Sequence, residues 1–240
     1  MGMSREVVVT GGGTGIGYAI AAGFAQAGDT VTVTGRRASV LTEAAVLLGA
    51  RAVCFDAADP AAVEQALPEL PDQIDVLVNN AGGNTDFLRD DSRDLKTLDA
   101  AWTANFRANF FTAALVTSAV RERISDHGRI VTVGSIAAHT GVGSYAWAKA
   151  ALEVWNADIA RYLGPRGITA NIVAPGLVVD TGFFHGKLTD ERRELLIGNT
   201  MTKRAGRPED VVEAVRFLAA PAAGHVTGQV VHVNGGAHVG

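Results

Sequence analysis

The stretch that decides the fold is Glu6–Gly17, EVVVTGGGTGIG. A β-branched run, Glu6–Thr10, breaks on three consecutive glycines. After Gly17 it gives way to an Ala-rich segment with apolar residues at helical spacing, Tyr18–Ala27. The pattern reads as strand, glycine turn, helix. Gly11, Gly13, Gly15 and Gly17, with Thr14 and Ile16 among them, let the chain turn tightly and bring backbone N–H groups close to a pyrophosphate. The start of a helix favours that negative charge. The spacing is G-x-x-x-G-x-G rather than G-x-G-x-x-G, and no Gly-Lys-Ser/Thr follows. Dinucleotide binding is therefore inferred from the context, a strand before and a helix after, more than from the glycines alone.

Working outward, the same alternation repeats. Strand-like runs recur at Glu6–Thr10, Thr30–Thr34, Ala52–Phe55, Asp75–Val78, Arg129–Val133, Ile168–Val173 and Gln229–Val233. Between them lie helical patterns at Val40–Leu48, Ala61–Leu67, Leu98–Val120, Tyr145–Leu163 and Pro208–Ala219. Strands apolar throughout, each followed by a helix, predict an α/β fold: a doubly wound, seven-stranded parallel sheet with helices on both faces. No linker or repeat interrupts residues 1–240, so one domain is expected. Gly83–Lys96 is polar, and its Asp-Asp and Arg-Asp pairs read as a solvated loop and helix start. Asp180–Arg207 is long for a connection and mixes charge with Phe183, Phe184, Leu195, Leu196, Ile197 and Met201. Lying after a strand end, it is a candidate substrate lid; the competing reading is a surface excursion packed on a neighbouring subunit.

Composition narrows the function classes. Of 240 residues 48% are hydrophobic and 19% charged, with a formal net charge of −4, which excludes disorder. Folding a chain of this length buries roughly 70–75% of its unfolded surface, so no disulfide or structural metal is needed. The acidic balance argues against nucleic-acid or anionic-membrane binding. Cys54 is the one cysteine, and no apolar run spans a bilayer. With no leader-like start, the chain reads as a soluble, cytoplasmic protein.

Two further features carry chemistry. The second strand ends Thr34-Gly35-Arg36-Arg37, with no carboxylate to bind a ribose 2′-hydroxyl and two guanidiniums that match a 2′-phosphate. NADP(H) is thereby favoured over NAD(H), unless both arginines simply lie in water at a helix start. Tyr145 and Lys149 stand four apart on a helical pattern, one above the other. An ammonium about 4 Å from a phenol can lower its pKa by up to ~3 units, toward the range useful for acid–base catalysis. Ser135 follows the fifth strand directly, where its hydroxyl can reach the same substrate oxygen.

TGGGTGIG (Thr10–Gly17), NNAG (Asn79–Gly82), Ser135, Tyr145-x-x-x-Lys149 and Pro175-Gly176, in that order, resemble the short-chain dehydrogenase/reductase family from about Arg5 to Gly236. The resemblance implies a single-domain Rossmann fold and reversible hydride transfer between a nicotinamide and a carbonyl. Tyr145 would be the acid/base, Ser135 would orient the substrate oxygen, and Lys149 would bind the nicotinamide ribose and lower the Tyr145 pKa. Asn105 falls where the family has a helix Asn that supports a water and proton relay. Asn79, Ala81 and Gly82 resemble its backbone contacts to the coenzyme, Asp56 its adenine contact, and Pro175, Gly176, Val178 and Thr181 the segment that holds the carboxamide.

Within the family the chain is most similar to 3-oxoacyl-[acyl-carrier-protein] reductase-like enzymes, which implies a ketone or secondary-alcohol substrate, either free or carrier-bound. Arg129 and Arg166 fall near positions such enzymes turn toward an acidic carrier. Phe183, Phe184, Leu196, Met201 and Trp147 suggest an apolar pocket, suited to acyl, aromatic or polyketide-like ketones; the competing reading is packing between lid and body. The alternative functions are an NADP-dependent dehydrogenase of a steroid, sugar or polyketide-type alcohol, or a non-catalytic dinucleotide-binding sensor. Subunits in the family pack along the Asn105 and Tyr145 helices, usually as a homotetramer. One departure stands out: only ten positions separate Ser135 from Tyr145, fewer than is usual. The loop between them contains His139, which reads as solvated. The chemistry calls for no metal, and the other histidines, His127, His185, His225, His232 and His238, show no ligand spacing.

Overall fold

Alternate residues of the first strand part company. Val7 and Val9 pack with Ile20, Phe24, Val211, Val215 and Leu218 on one face of the sheet. Val8 packs with Leu77, Val116, Val120, Ile130 and Leu163 on the other. This two-sided burial follows from a strand without polar alternation, which is stable only when covered twice. The computed structural model describes residues 4–88 and 94–240. Its strands are β1 (Glu6–Thr10), β2 (Thr30–Gly35), β3 (Arg51–Cys54), β4 (Ile74–Asn79), β5 (Ile124–Val133), β6 (Thr169–Pro175) and β7 (Val230–Val233). They lie in the order β3-β2-β1-β4-β5-β6-β7 and pair in parallel throughout. The direction of winding reverses between β1 and β4, and a crevice outside the strand ends at such a point is where ligands bind.

The helices are α1 (Gly15–Gln26), α2 (Ala38–Leu48), α3 (Pro60–Ala66), α4 (Leu95–Phe106), α5 (Thr112–Val120), α6 (Ala137–Thr140), α7 (Ser144–Leu163), α8 (Asp190–Gly198) and α9 (Pro208–Ala219). Local signals place their starts. Asp59 accepts a hydrogen bond from the Ala61 N–H at 3.0 Å with Pro60 in the first turn of α3, and Asp94 accepts one from Thr97 at 3.1 Å at the start of α4. Helices α1, α2 and α9 cover one face, and α3, α5 and α7 the other. Among the described residues no helix is long and apolar enough to cross a membrane.

Two sequence expectations change in detail. The single helix Leu98–Val120 is two helices, α4 and α5, joined without a break by a π turn, Arg107–Phe111. In the polar segment Gly83–Lys96, residues Thr85–Leu88 form a 3₁₀ turn, whereas the acidic pair Asp90-Asp91 and Arg93 lie outside the described residues. Segment 180–207 leaves and rejoins the body at one point: Val179 N–H donates to Gly206 O at 3.0 Å, and Gly206 N–H to Leu177 O at 2.9 Å.

Candidate active site

The glycine loop is fitted backbone against backbone. Gly11 has φ +66°, which only glycine adopts freely, and a side chain there would meet Ala81 Cα at 2.9 Å. At Gly17 a Cβ would fall 2.2 Å from Gly11 O. Asn80 locks the loop in place: its Nδ2 donates to Thr10 O at 3.0 Å and Gly11 O at 3.2 Å. Thr10 Oγ1 in turn accepts from the N–H groups of Asn80 (3.0 Å) and Ala81 (3.1 Å). Asn80 is a positioning residue that the sequence reading quoted only within NNAG. Its neighbour Asn79 is 3% exposed and donates to Thr117 and Thr132, so its side chain ties β4 to α5 and β5.

These residues fit a dinucleotide. Thr14 caps α1 without a side-chain hydrogen bond, and no acidic residue lies in the first turn, so the helix N-terminus keeps donors that suit an anion. Arg36 and Arg37 are exposed at the end of β2. Arg37 reaches Thr14 Oγ1 at 3.4 Å and Arg36 stands 4.0 Å from Asp56, which brings Thr14, Arg36, Arg37 and Asp56 to one place. Across the loop, Thr181 lies 3.6 Å from where a Cβ on Gly15 would sit. Pro175 ends β6, its carbonyl accepting from Ile136 N–H at 3.0 Å, and Gly176 N–H donates to Val233 O at 3.2 Å. Val178 is buried at the base of segment 180–207.

Ser135, Tyr145 and Lys149 converge beside this groove. Ser135 lies close enough to Tyr145 to act on its acidity, and its Oγ accepts from Ala137 N–H at 3.1 Å. Lys149 is 5% exposed; its Nζ donates to Val133 O at 2.9 Å and lies 5.9 Å from the Tyr145 ring centre. Burial pushes the Tyr145 phenol up to about 12, with Ser135 acting the other way, and pushes Lys149 down to about 8. The expectation that Lys149 draws the phenol toward neutrality is therefore not met by the chain alone. Desolvation is the larger effect, and Lys149 is discharged before the phenol's range is reached. At neutral pH the pair is a protonated phenol beside an ammonium, a proton donor with a cation ready for the charge left behind.

Asn105 is fully buried. Among the described residues its amide bonds all go to the pocket wall: it donates to Asp86 Oδ1 and Ser144 Oγ, both at 2.9 Å, and accepts from Thr85 N–H at 3.1 Å. The π turn explains its setting. A widened turn frees a backbone carbonyl, and here Asn109 answers it, donating to Asn105 O at 3.0 Å and to Gly83 O at 2.9 Å. Thr112 docks the same turn on Ala81 O at 3.0 Å, and Gly82 lies against both Asn109 and Lys149. Asn109 and Thr112 were missed; they are two of several polar residues in Leu98–Val120, and nothing in their spacing sets them apart.

Aromatic rings cover Tyr145. Phe183 packs on Tyr145 (5.7 Å between ring centres), on Phe184 (5.0 Å) and on Phe87 (5.9 Å), and Lys187 Nζ donates to Phe87 O. Phe87 was not singled out in the sequence. Of the other apolar candidates, Trp147 pairs with Trp102 on the outer surface at 5.5 Å, and Met201 is exposed beside Gly236. Arg129 is 6% exposed and donates to the carbonyls of His127, Gly128, Ala220 and Pro221, so its guanidinium is spent inside the fold. Arg166 is bound to Asp126 and to backbone carbonyls. His139 lies side by side with His232 and His238, some ninety positions further along the chain.

The family model described as enoyl-(acyl carrier protein) reductase matches residues 11–238. The chain belongs to the short-chain dehydrogenase/reductase family. It is 33% identical to the 3-oxoacyl-[acyl-carrier-protein] reductase FabG of Escherichia coli K12, over 98% of each chain. Among solved structures it is similar to a metagenomic blue fluorescent protein in complex with NADPH (TM-score 0.85, 33% identity, 98% of each chain). It is similar also to a Burkholderia cenocepacia short-chain dehydrogenase in complex with NADP (TM-score 0.83, 33% identity, 98% of each chain). The protein is thus an oxidoreductase acting between CH–OH and C=O groups with a nicotinamide dinucleotide as cofactor.

Proposed function

We propose that this short-chain reductase is an NADPH-dependent ketoreductase of the 3-oxoacyl-[acyl-carrier-protein] reductase-like type. The observation that carries the reading is the buried Tyr145, with Ser135 close by and Lys149 Nζ 5.9 Å from its ring centre. When bound, the reduced nicotinamide supplies the hydride that adds to the carbonyl carbon. Tyr145 donates its proton to the oxygen as negative charge grows there, and Ser135 holds that oxygen by a hydrogen bond. The Lys149 ammonium stabilises the phenolate left behind. A phenol held near 12 is a donor at every physiological pH, which favours the direction of ketone reduction.

The glycine loop, the N-terminus of α1, Asn79, Ala81, Gly82, Asp56 and the Pro175–Thr181 segment hold the coenzyme, and Arg36 and Arg37 take its 2′-phosphate. Segment 180–207 acts as the lid, with Phe183 and Phe184 roofing an apolar substrate. Asn105 keeps the wall of that pocket in register with Ser144 and the start of α7. Subunits pair along α4 and α7, where Trp102 and Trp147 form an exposed aromatic patch, and build a homotetramer; the compartment is the reducing cytoplasm, in keeping with the free Cys54. Coenzyme oxidation followed against acyl-thioester, steroid, sugar and quinone ketones is the test. A higher kcat/KM with NADPH than with NADH, and with an acyl thioester above the others, is expected; a preference for NADH overturns the arginine assignment.

A further inference from the structure

Three histidines that the hydride chemistry does not use meet at one point. His139 sits on α6, in the loop between Ser135 and Tyr145; His232 lies on β7; His238 lies in the segment after it. One nitrogen of each ring lies within 4.8 Å of the other two. His139 stacks on His238 with 4.8 Å between ring centres, and His232 stands edge-on to both at 5.5 and 4.9 Å. His232 Nδ1 and His238 Nε2 are buried and have no hydrogen-bond partner among the described residues. Such nitrogens are ordinarily satisfied, and two orphans in one cluster call for a shared occupant. The chemistry of that occupant follows from the donors: several neutral imidazoles and no thiolate suit zinc, nickel or copper rather than magnesium or calcium.

The setting is built for a ligand set. Glu153 Oε1, on α7, lies 3.0 Å from His139 Nε2, the carboxylate–imidazole contact that orients a metal-binding ring and leaves its other nitrogen for the ion. The turn carrying His238 is pinned, with Asn234 Nδ2 donating to His238 O at 2.9 Å and Asn234 Oδ1 accepting from Gly236 N–H at 2.8 Å. Tetrahedral zinc with bonds near 2.0–2.1 Å spaces its nitrogens by about 3.4 Å, so the rings must close by roughly 1.4 Å. His139, exposed on a four-residue helix, is the ring with room to do so.

We propose that His139, His232 and His238 form a site for a zinc-class divalent metal ion, with Glu153 orienting His139. The ion ties the loop after Ser135 to β7 and to the C-terminal turn. That turn in turn holds Met201 and Thr202 through Gly235 O, at 2.7 and 3.1 Å. The site is therefore a brace beside the substrate pocket, distinct from the Tyr145 chemistry.

Untagged protein titrated with Co²⁺ should develop the visible absorption of a low-coordinate cobalt ion, saturating at one ion per chain and bleached by Zn²⁺. Zn²⁺ should also raise the melting temperature. His232→Ala and His238→Ala should abolish both responses, Glu153→Gln should weaken binding by about ten- to a hundredfold, and the exposed His225→Ala should leave it unchanged. If a variant in β7 does not fold, His139→Ala, on the surface loop, carries the same test. Absence of any cobalt band and zinc shift in the native chain overturns the proposal, as does an undiminished response in the triple alanine variant.

Discussion

The two sides of the crevice are made to different tolerances. On the coenzyme side the contacts are between backbones: Gly17 against Gly11 and Gly11 against Ala81, with Asn80 and Thr10 tying the loops together. On the substrate side they are between side chains: Phe183 on Tyr145, Phe87 and Phe184, and Lys187 on a carbonyl. A backbone fit has no rotamer to give way, whereas aromatic edges can slide and repack. A common coenzyme groove can therefore be held constant while the mouth is altered for another substrate.

The sharpest break in this comparison lies between the two sides. Tyr145→Phe should leave coenzyme binding intact by fluorescence titration and lower kcat for reduction by about 10²- to 10⁴-fold. On the coenzyme side, Gly17→Ala forces a methyl into Gly11 O and should destabilise the fold by about 3 kcal/mol, with at least a tenfold loss of NADPH affinity. Lys149→Met tests the buried charge at the junction. The Lys149 pKa is depressed to about 8, so between that value and about 10.5 the unfolded chain holds a proton that the folded chain has released, and stability rises with pH there. The penalty is fully present below about 8. The variant should gain stability at pH 7, on the order of 3 kcal/mol at most, and lose the alkaline rise, as read by thermal melts across pH. Reduction by the native chain should also decline above about pH 8, where Lys149 is discharged. The mildest change is Phe183→Ala, which should raise KM for an apolar ketone severalfold, by about 1 kcal/mol, with NADPH affinity unmoved. Equal losses for Phe183→Ala and Gly17→Ala in coenzyme affinity would remove the distinction between the two sides.

What could be read in the sequence divides along the same line. The succession of strands and helices along the chain, the glycine loop and the spacing of Ser135, Tyr145 and Lys149 were legible because each is a local pattern: apolar runs, glycine turns and helical spacing. The π turn was not, because Arg107–Phe111 has the composition of ordinary helix and only its docking on Ala81 and Gly83 widens it. Burial of Tyr145 and Lys149, which in the chain alone pushes the phenol up and the ammonium down, was not legible because it is a tertiary fact, whereas their pairing is visible as spacing. Phe87 escaped notice because nothing near it in sequence links it to Phe183. The histidine cluster is of the same kind, assembled from α6, β7 and the turn after it.

The widened turn between α4 and α5 also fixes the chain's length there. Removing one residue from 107–111 would restore regular helical bonding, yet would swing everything beyond it through about 100° around the axis. Thr112 would then leave Ala81, and Val116 and Val120 would turn out of the interior. A deletion that improves the helix as a helix would dismantle the wall beside Lys149.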